Sequence, residues 1–240
     1  AVNRYLQLLR PPLTPGAPPM TDAEWTAIED EIERLALGAL PRVKDDPLLT
    51  FGVAKVLRFI DRGYLHLAAR LTDEAFMTST AFAPAFAMKG QIAASLGEID
   101  RALDLYERAV ELTGKGSQFH IYLLVIRAVA LMAANRRGDV DRLTAELYAI
   151  KPESRPGLGI FFVSPKARLP RVLDPVLAAI PLEDARRRLM YLYRISARQF
   201  QDKRHQANVM QGAAVHLIAR HGPAVMPPEL QKRFPKLGAT

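Results

Sequence analysis

Residues 83–116, in the middle of the chain, constrain the fold more than any other stretch. Small and apolar residues recur there at intervals of three and four, which is the spacing of an amphipathic helix. The pattern breaks at Gly97 and resumes at Ile99. Glycine suits a tight turn because it lacks a Cβ and tolerates a positive φ. The stretch therefore predicts two helices joined by a short turn.

The pattern of this stretch occurs a second time, 34 residues earlier in the chain. A shift of that length superposes four pairs of residues, which are Gly97 on Gly63, Ala102 on Ala68, Leu105 on Leu71 and Ala109 on Ala75. Residues 61–71 then form the turn and second helix of an earlier unit, and residues 48–60 form its first helix. Two consecutive helical hairpins are predicted. The alternative is a generic helical bundle in which these four matches are accidental.

Each unit resembles a tetratricopeptide repeat (TPR), a helical hairpin whose period is also about 34 residues. The resemblance rests on small and aromatic positions of the second unit, namely Gly90, Gly97, Ala102, Tyr106 and Ala109. Small residues let two antiparallel helices approach closely, and larger ones fill the gap beside them. Lys89 and Ala93 depart from the repeat pattern, which usually has leucine and an aromatic residue there. The resemblance covers roughly residues 48–150.

The resemblance implies an all-α fold, an antiparallel helix-pair solenoid with an extra N-terminal helix and a C-terminal helical cap. Such arrays bind partners on a concave face that the first helix of each pair lines. In this chain that face would take Val53, Leu57, Ile60, Ala87, Gln91, Ala94 and Arg127. Because few of these residues are polar, we expect a protein or peptide partner, but not the type of clamp that grips a C-terminal carboxylate.

A third helical pair is predicted from about Phe119 onward, where residues 121–134 are strongly apolar. We expect its turn at residues 135–139, with Gly138 as the turn glycine, and its second helix to run as far as Ile150. Gly138 lies 41 residues after Gly97, seven more than the period. This unit is therefore a degenerate repeat at best.

Proline and glycine divide the chain into four predicted regions: an N-terminal arm and Pro-rich linker at 1–20, the helical repeats at 21–152, a Pro/Gly-rich apolar loop at 153–170, and a basic helical cap at 171–240. The linker joins a further domain or packs on the array. The apolar loop either tucks against the array or awaits a partner. Within the cap we expect helices at about 182–203 and 206–221.

The first long helix has clear start and stop signals. Thr21 and Glu24 fit a capping box, in which the hydroxyl and the carboxylate satisfy each other's free backbone amides. Trp25, the only tryptophan, is expected to anchor this helix to the array. Gly38 and Pro41 are expected to end it.

The excess positive charge lies in the C-terminal third of the chain. Residues 166–240 carry 14 Lys and Arg against 5 Asp and Glu, whereas residues 1–165 are nearly neutral. A candidate anion-binding site lies on the helix predicted at 182–203. It comprises Arg187, Tyr191, Arg194 and Arg198, whose spacing places them on one face of the helix. Forked arginines beside an aromatic ring suit a phosphate or a carboxylate. The alternative is a solvated helix face paired with acidic neighbours.

The sequence gives little support for catalysis. It has no cysteine, which excludes disulfides and thiol chemistry, and its five histidines show no metal-binding spacing. The nucleotide-binding and hydrolase motifs that we sought are absent. We therefore expect a protein that is not an enzyme and has no cofactor or metal. With no apolar run long enough for a membrane span and no visible secretory signal, we expect a cytoplasmic location.

These observations predict a non-enzymatic protein–protein interaction module that can form a homo-oligomer and can take an acidic partner through residues 166–240. The segment Phe86–Gln91 and the Pro-rich linker resemble the TPR halves of bacterial transcriptional regulators, in which a DNA-binding domain comes first and the array senses or oligomerises. The chain begins Ala-Val rather than Met, so we expect a preceding domain. The alternatives are a nucleic-acid-binding helical repeat that uses residues 166–240, and an enzyme with an unrecognised site.

Overall fold

A computed structural model describes residues 21–60, 62–76, 81–150 and 181–235. Within these ranges the chain forms helices and turns only, which confirms the prediction of an all-α protein. The α-helices are α1 (Asp22–Val43), α2 (Pro47–Phe59), α3 (Leu65–Phe76), α4 (Ala83–Ser95), α5 (Ile99–Glu111), α6 (Gln118–Ala133), α7 (Arg137–Ile150), α8 (Leu182–Gln199), α9 (Lys203–His221) and α10 (Pro228–Arg233). The predicted arm at 1–20 and the apolar loop at 153–170 lie outside the described residues.

Helix α1 begins as predicted but ends later. The Thr21 amide donates to a Glu24 carboxylate oxygen at 2.7 Å, and the Glu24 amide donates to the Thr21 hydroxyl at 3.2 Å, so the capping box is present. Trp25 is buried, as expected of an anchor. The expectation that Gly38 and Pro41 end the helix is wrong, since both lie inside it. A proline inside a helix removes one i→i−4 hydrogen bond, and at Pro41 the helix continues for two more residues despite this loss.

The first two predicted hairpins are present. Helices α2 and α3 pack against each other, as do α4 and α5. Their turns contain Gly63 with φ 81° and Gly97 with φ 87°, the left-handed conformation that glycine adopts most easily. In the second hairpin, an ideal Cβ on Gly90 would lie 2.5 Å from the Tyr106 ring, so only glycine fits beside that ring. Ala102 is fully buried in the same interface.

The third hairpin, α6 and α7, turns at a residue other than the predicted one. Asn135 has φ 58° and lies between the two helices, whereas Gly138 lies inside α7. The expectation for Gly138 is therefore wrong. Asparagine is one of the few residues besides glycine that tolerate the left-handed region, because its short polar side chain can bond locally. Here its Oδ1 accepts a hydrogen bond from Nε of Arg137 at 3.1 Å.

The C-terminal region forms a fourth hairpin that packs back on the earlier helices. The helix expected at 182–203 ends at Gln199, and α9 begins at Lys203, with Asp202 as its N-cap. Helix α9 packs on α6, where Asn208 Nδ2 donates to the Ala133 carbonyl at 2.7 Å. The turn before α9 reaches α4, since the Gln201 amide donates to the Ser95 carbonyl at 3.2 Å.

Two groups of buried apolar side chains stabilise the fold. The N-terminal core joins α1, α2 and α3 around Trp25, Ile32 and Leu57. The larger core runs from α4 to α10 and includes six consecutive buried residues of α6, Ala128–Ala133. Burial on every side of a helix requires neighbours all around it, and α5, α7 and α9 supply them. None of the described helices is long and apolar enough to cross a membrane.

Candidate functional site

The residues predicted to line a concave face lie mostly in the two cores. The buried members are Val53, Leu57, Ile60, Ala87, Gln91 and Ala94, each no more than 8% exposed. They are therefore not an open surface on which a partner could rest in this structure. Gln91 differs from the other buried members because it is polar, and its amide takes part in the cluster described below.

The predicted anion-binding face on α8 is described only in part. Arg187 forms an ion pair with Asp184 on the same helix, so its guanidinium already has an anionic partner. The side chains of Tyr191, Arg194 and Arg198 lie outside the described residues. The prediction of an anion site on this face stays a prediction.

A polar cluster combines side chains from the first helices of the first three hairpins with one side chain from the second helix of the second hairpin. It consists of Lys55 and Arg58 on α2, Gln91 on α4, Tyr106 on α5 and Tyr122 on α6. Lys55 and Arg58 are the only charged residues of α2, and their spacing of three places them on one side of that helix. Helix α4 contacts both α2 and α6, so it joins the two ends of the cluster.

A short hydrogen bond fixes the centre of the polar cluster. Gln91 Nε2 lies 2.5 Å from the hydroxyl oxygen of Tyr122. The Tyr122 ring also stacks on Phe119, with ring centroids 5.8 Å apart. Tyr122 is 39% exposed, so it is held at the surface rather than inside the core. Because its oxygen accepts the amide proton, its own O–H group remains free to donate.

The second phenol of the polar cluster is buried and has no hydrogen-bond partner. Tyr106 is fully buried, and no described residue forms a hydrogen bond with its hydroxyl. Burial raises the pKa of Tyr106, and the nearby Tyr122 hydroxyl raises it further, whereas the positive charge of Arg58 lowers it. Burial also raises the pKa of Tyr122. Both phenols therefore keep their protons at neutral pH and remain hydrogen-bond donors.

The two cations of the polar cluster have no anionic partner among the described residues. Arg58 is partly buried, and its Nε is enclosed without a hydrogen-bond acceptor. Its charge lies close enough to Tyr106 and Tyr122 to lower the pKa of both. Lys55 is exposed as a residue, and partial burial, followed by repulsion from Arg58, lowers its pKa. Two positive charges are thus close together, and none of the described carboxylates balances them.

The chemistry of this cluster is that of an anion-binding site. Guanidinium, ammonium and phenol groups all donate hydrogen bonds, and the first two add positive charge. A buried donor without an acceptor is unfavourable. An anion that entered the cluster would give the Nε–H group of Arg58 a hydrogen-bond acceptor. The cluster contains no nucleophile paired with a base, and the described residues hold no group of three His, Asp or Glu side chains suited to a metal ion.

The predicted residue Arg127 lies in a separate, charged cleft of about 380 Å³ between α5, α6 and α7. Its arginines are paired with carboxylates: Arg127 with Glu107 at 3.7 Å, Arg136 with Asp100 at 3.4 Å and with Asp139 at 2.7 Å, and Arg142 with Asp139. The pKa of Asp139 is lowered by Arg136 and then by Arg142. The lining has more carboxylates than arginines, so this cleft is acidic and is less suited to an anionic ligand than the polar cluster.

An apolar cleft of about 510 Å³ opens at the start of α2. It is lined by Leu48, Phe51, Ala75 and Phe82, with Asp45, Asp46 and Pro47 at its edge. Phe51 and Phe82 meet edge to face, with centroids 5.5 Å apart. Leu48 is 67% exposed and the adjacent Leu49 is 54% exposed. Leu48 is thus a large aliphatic side chain left in water beside an aromatic wall, and Leu49 adds exposed apolar surface at the start of the same helix.

Sequence reasoning missed Lys55, Arg58 and both tyrosines as site residues. A signal was present, since two cations three residues apart interrupt an otherwise uncharged helix. Tyr106 was assigned to packing alone because its ring matches the aromatic position of the repeat. The partners that Arg58 and Tyr122 find on other helices could be placed together only by the fold.

No family model, no curated protein and no solved structure matches this chain, so its function is argued from these sites alone.

Proposed function

We propose that this chain is a non-enzymatic interaction module whose helical hairpins stack in a TPR-like array and bind a segment of another protein. The equivalent positions of Gly63 and Gly97 in two consecutive hairpins support the repeat. Stacked hairpin repeats characteristically serve as extended binding scaffolds. The exposed apolar cleft at the start of α2 is the observation that carries the proposal.

The apolar cleft favours a partner with aliphatic or aromatic side chains. Contiguous apolar surface on a soluble protein commonly marks an interaction site. Covering a leucine side chain with a partner contributes roughly 1.5–3 kcal/mol, and Leu48 and Leu49 are both largely exposed. The aromatic wall of Phe51 and Phe82 gives an anchoring side chain a rigid surface to pack on.

The narrower assignment, a sensing or oligomerising part of a bacterial transcriptional regulator, is supported by the sequence resemblance alone. The nucleic-acid alternative receives less support from the described basic residues of the C-terminal region. Arg186, Arg187 and Arg204 each pair with a carboxylate, and Arg233 lies over the Tyr193 ring at 5.3 Å from its centroid. Guanidinium groups already engaged in this way are less available to phosphates.

The proposal is tested by selecting binders from a random peptide library and measuring their affinity for three proteins: wild type, the double variant Leu48→Ser/Leu49→Ser, and Leu96→Ser. Leu96 is a matched control because it is 40% exposed and lies at the other end of α4 from Phe82. We expect the double variant to weaken binding at least about tenfold, equivalent to about 1.4 kcal/mol, and the control to bind like wild type. A library that yields no binder, or equal binding by all three proteins, overturns the proposal.

A further inference from the structure

We infer that the polar cluster of Lys55, Arg58, Gln91, Tyr106 and Tyr122 receives a carboxylate of the partner segment that the apolar cleft anchors. This inference rests on the proposed function and adds the chemistry of the partner. An acidic side chain placed there would balance two positive charges that have no anionic partner among the described residues, and it would accept a hydrogen bond from the exposed phenol of Tyr122.

The polar cluster and the apolar cleft lie along one face of the same helix. Leu48 and Phe51 line the cleft, and Lys55 and Arg58 belong to the cluster. The intervals between these four positions are three, four and three residues, which keeps them on one side of an α-helix. At 1.5 Å per residue, Leu48 and Arg58 are about 15 Å apart along the axis. One bound segment can therefore span both sites.

The groups of the polar cluster are held ready for an anion. The Gln91 bond and the Phe119 ring hold Tyr122 in place, and packing against Gly90 fixes the Tyr106 ring. Preorganised donors bind an anion better than mobile ones because less conformational freedom is lost. The enclosed Nε of Arg58 lacks an acceptor among the described residues. Tyr122 is partly exposed and keeps a free O–H donor beside it.

The spacing defines the partner further. A distance of about 15 Å corresponds to four or five residues of extended chain at about 3.3 Å each. The partner is therefore an extended segment with apolar side chains followed or preceded, four or five residues away, by Asp or Glu. A carboxylate suits the forked donors of an arginine, which can bond both of its oxygens.

The test uses two synthetic peptides, acetyl-Leu-Leu-Ser-Ser-Ser-Glu-Glu-amide and the same peptide with both glutamates replaced by glutamine. Affinity and the Nε–Hε signal of Arg58 are followed by NMR titration of the whole chain. We expect the glutamate peptide to bind wild type at least about tenfold more tightly than the glutamine peptide and to shift the Arg58 signal. Arg58→Gln should abolish this preference.

Two further variants separate a direct role from a folding defect. Arg127→Gln removes a guanidinium that already pairs with Glu107, and it should keep the preference for glutamate. Tyr122→Phe removes a single hydroxyl and should reduce the preference. Circular dichroism establishes that each variant is folded before its affinity is used.

The outcomes that overturn the inference differ from those that overturn the proposed function. Equal binding of both peptides, or an unchanged preference in Arg58→Gln, removes the carboxylate site but leaves the interaction module standing if the library yields binders that need Leu48 and Leu49. An Arg58 signal that responds to inorganic phosphate and not to the glutamate peptide assigns the cluster to phosphate and likewise overturns the inference.

Discussion

Gly90 packs directly against the ring of Tyr106: an ideal Cβ at position 90 would lie 2.5 Å from Cε1 and 2.6 Å from Cδ1 of that ring, and 3.1 Å from the Ala102 carbonyl oxygen. Tyr106 is fully buried and cannot swing away into solvent. The absence of a single methyl group therefore sets how closely α4 approaches α5. The same contact positions the Tyr106 hydroxyl in the polar cluster.

Gly90→Ala is expected to destabilise the fold. Overpacking a closed core commonly costs about 1–3 kcal/mol, and the gain in helix propensity from Gly to Ala returns only about 0.5–1 kcal/mol. We expect a net loss of about 1–2 kcal/mol in the free energy of unfolding, measured with urea. Gly38→Ala is the matched control, because Gly38 lies inside α1 with no atom within 4 Å of its ideal Cβ. It should stabilise the protein by about 0.5–1 kcal/mol; an equal effect of both substitutions would contradict the packing argument.

The two turn glycines should respond alike if the hairpins are equivalent. Gly63 and Gly97 both have φ above 80°, and a side chain in the left-handed region costs about 1–2 kcal/mol. We expect Gly63→Ala and Gly97→Ala each to lower the free energy of unfolding by about 1 kcal/mol. Part of the strain is offset because alanine reduces the conformational entropy of the unfolded chain. Gly114→Ala, at a glycine with open space and no positive φ, should change it little. A turn glycine that accepts alanine without loss would show that the two turns differ.

The sequence predicts local features of this protein well because they depend on neighbouring residues. The capping box at Thr21 and the glycine turns both follow from backbone chemistry within a few positions. Gly138 was misassigned because glycine is the commonest turn residue, yet Asn135 meets the same requirement three residues earlier. Pattern alone does not tell these two solutions apart.

Features that depend on distant helices could not be predicted in the same way. The face expected around Gln91 and Ala94 is mostly buried, and the C-terminal hairpin packs near it through the Gln201 bond to Ser95. That contact joins residues more than one hundred positions apart and leaves no local signal. The polar cluster likewise depends on Arg58 reaching tyrosines of two later helices.

The Asp202 carboxylate should make the stability of α9 depend on pH in the acid range. Its carboxylate accepts hydrogen bonds from the Arg204 side chain at 2.7 Å and from the Arg204 amide at 2.8 Å, and these bonds lower its pKa to about 2. Because the folded pKa lies below the unfolded value of about 3.9, the stabilisation is complete above that value and is lost as the pH falls toward 2.

The variant Asp202→Asn tests this pH dependence, since asparagine keeps the N-cap acceptor but cannot ionise. We expect the difference in free energy of unfolding between wild type and this variant to be largest near pH 6 and to shrink steadily between pH 4 and pH 2. Urea unfolding at three pH values measures it. A difference that is the same at all three would show that the ionised carboxylate contributes nothing beyond capping.

The two tyrosines of the polar cluster should respond to loss of the hydroxyl with opposite signs. The Tyr106 hydroxyl is buried without a partner, and such a group costs about 1–3 kcal/mol. Tyr106→Phe should therefore raise the free energy of unfolding by about 1 kcal/mol. The Tyr122 hydroxyl accepts a bond from the buried Gln91, so Tyr122→Phe should lower it by about 1 kcal/mol. Tyr122→Phe should also bind the glutamate peptide more weakly than wild type, because it loses a donor to the carboxylate. Tyr106→Phe should bind this peptide like wild type, because its hydroxyl is fully buried. A Tyr106→Phe protein that is less stable than wild type would show that this hydroxyl has a hydrogen-bond partner.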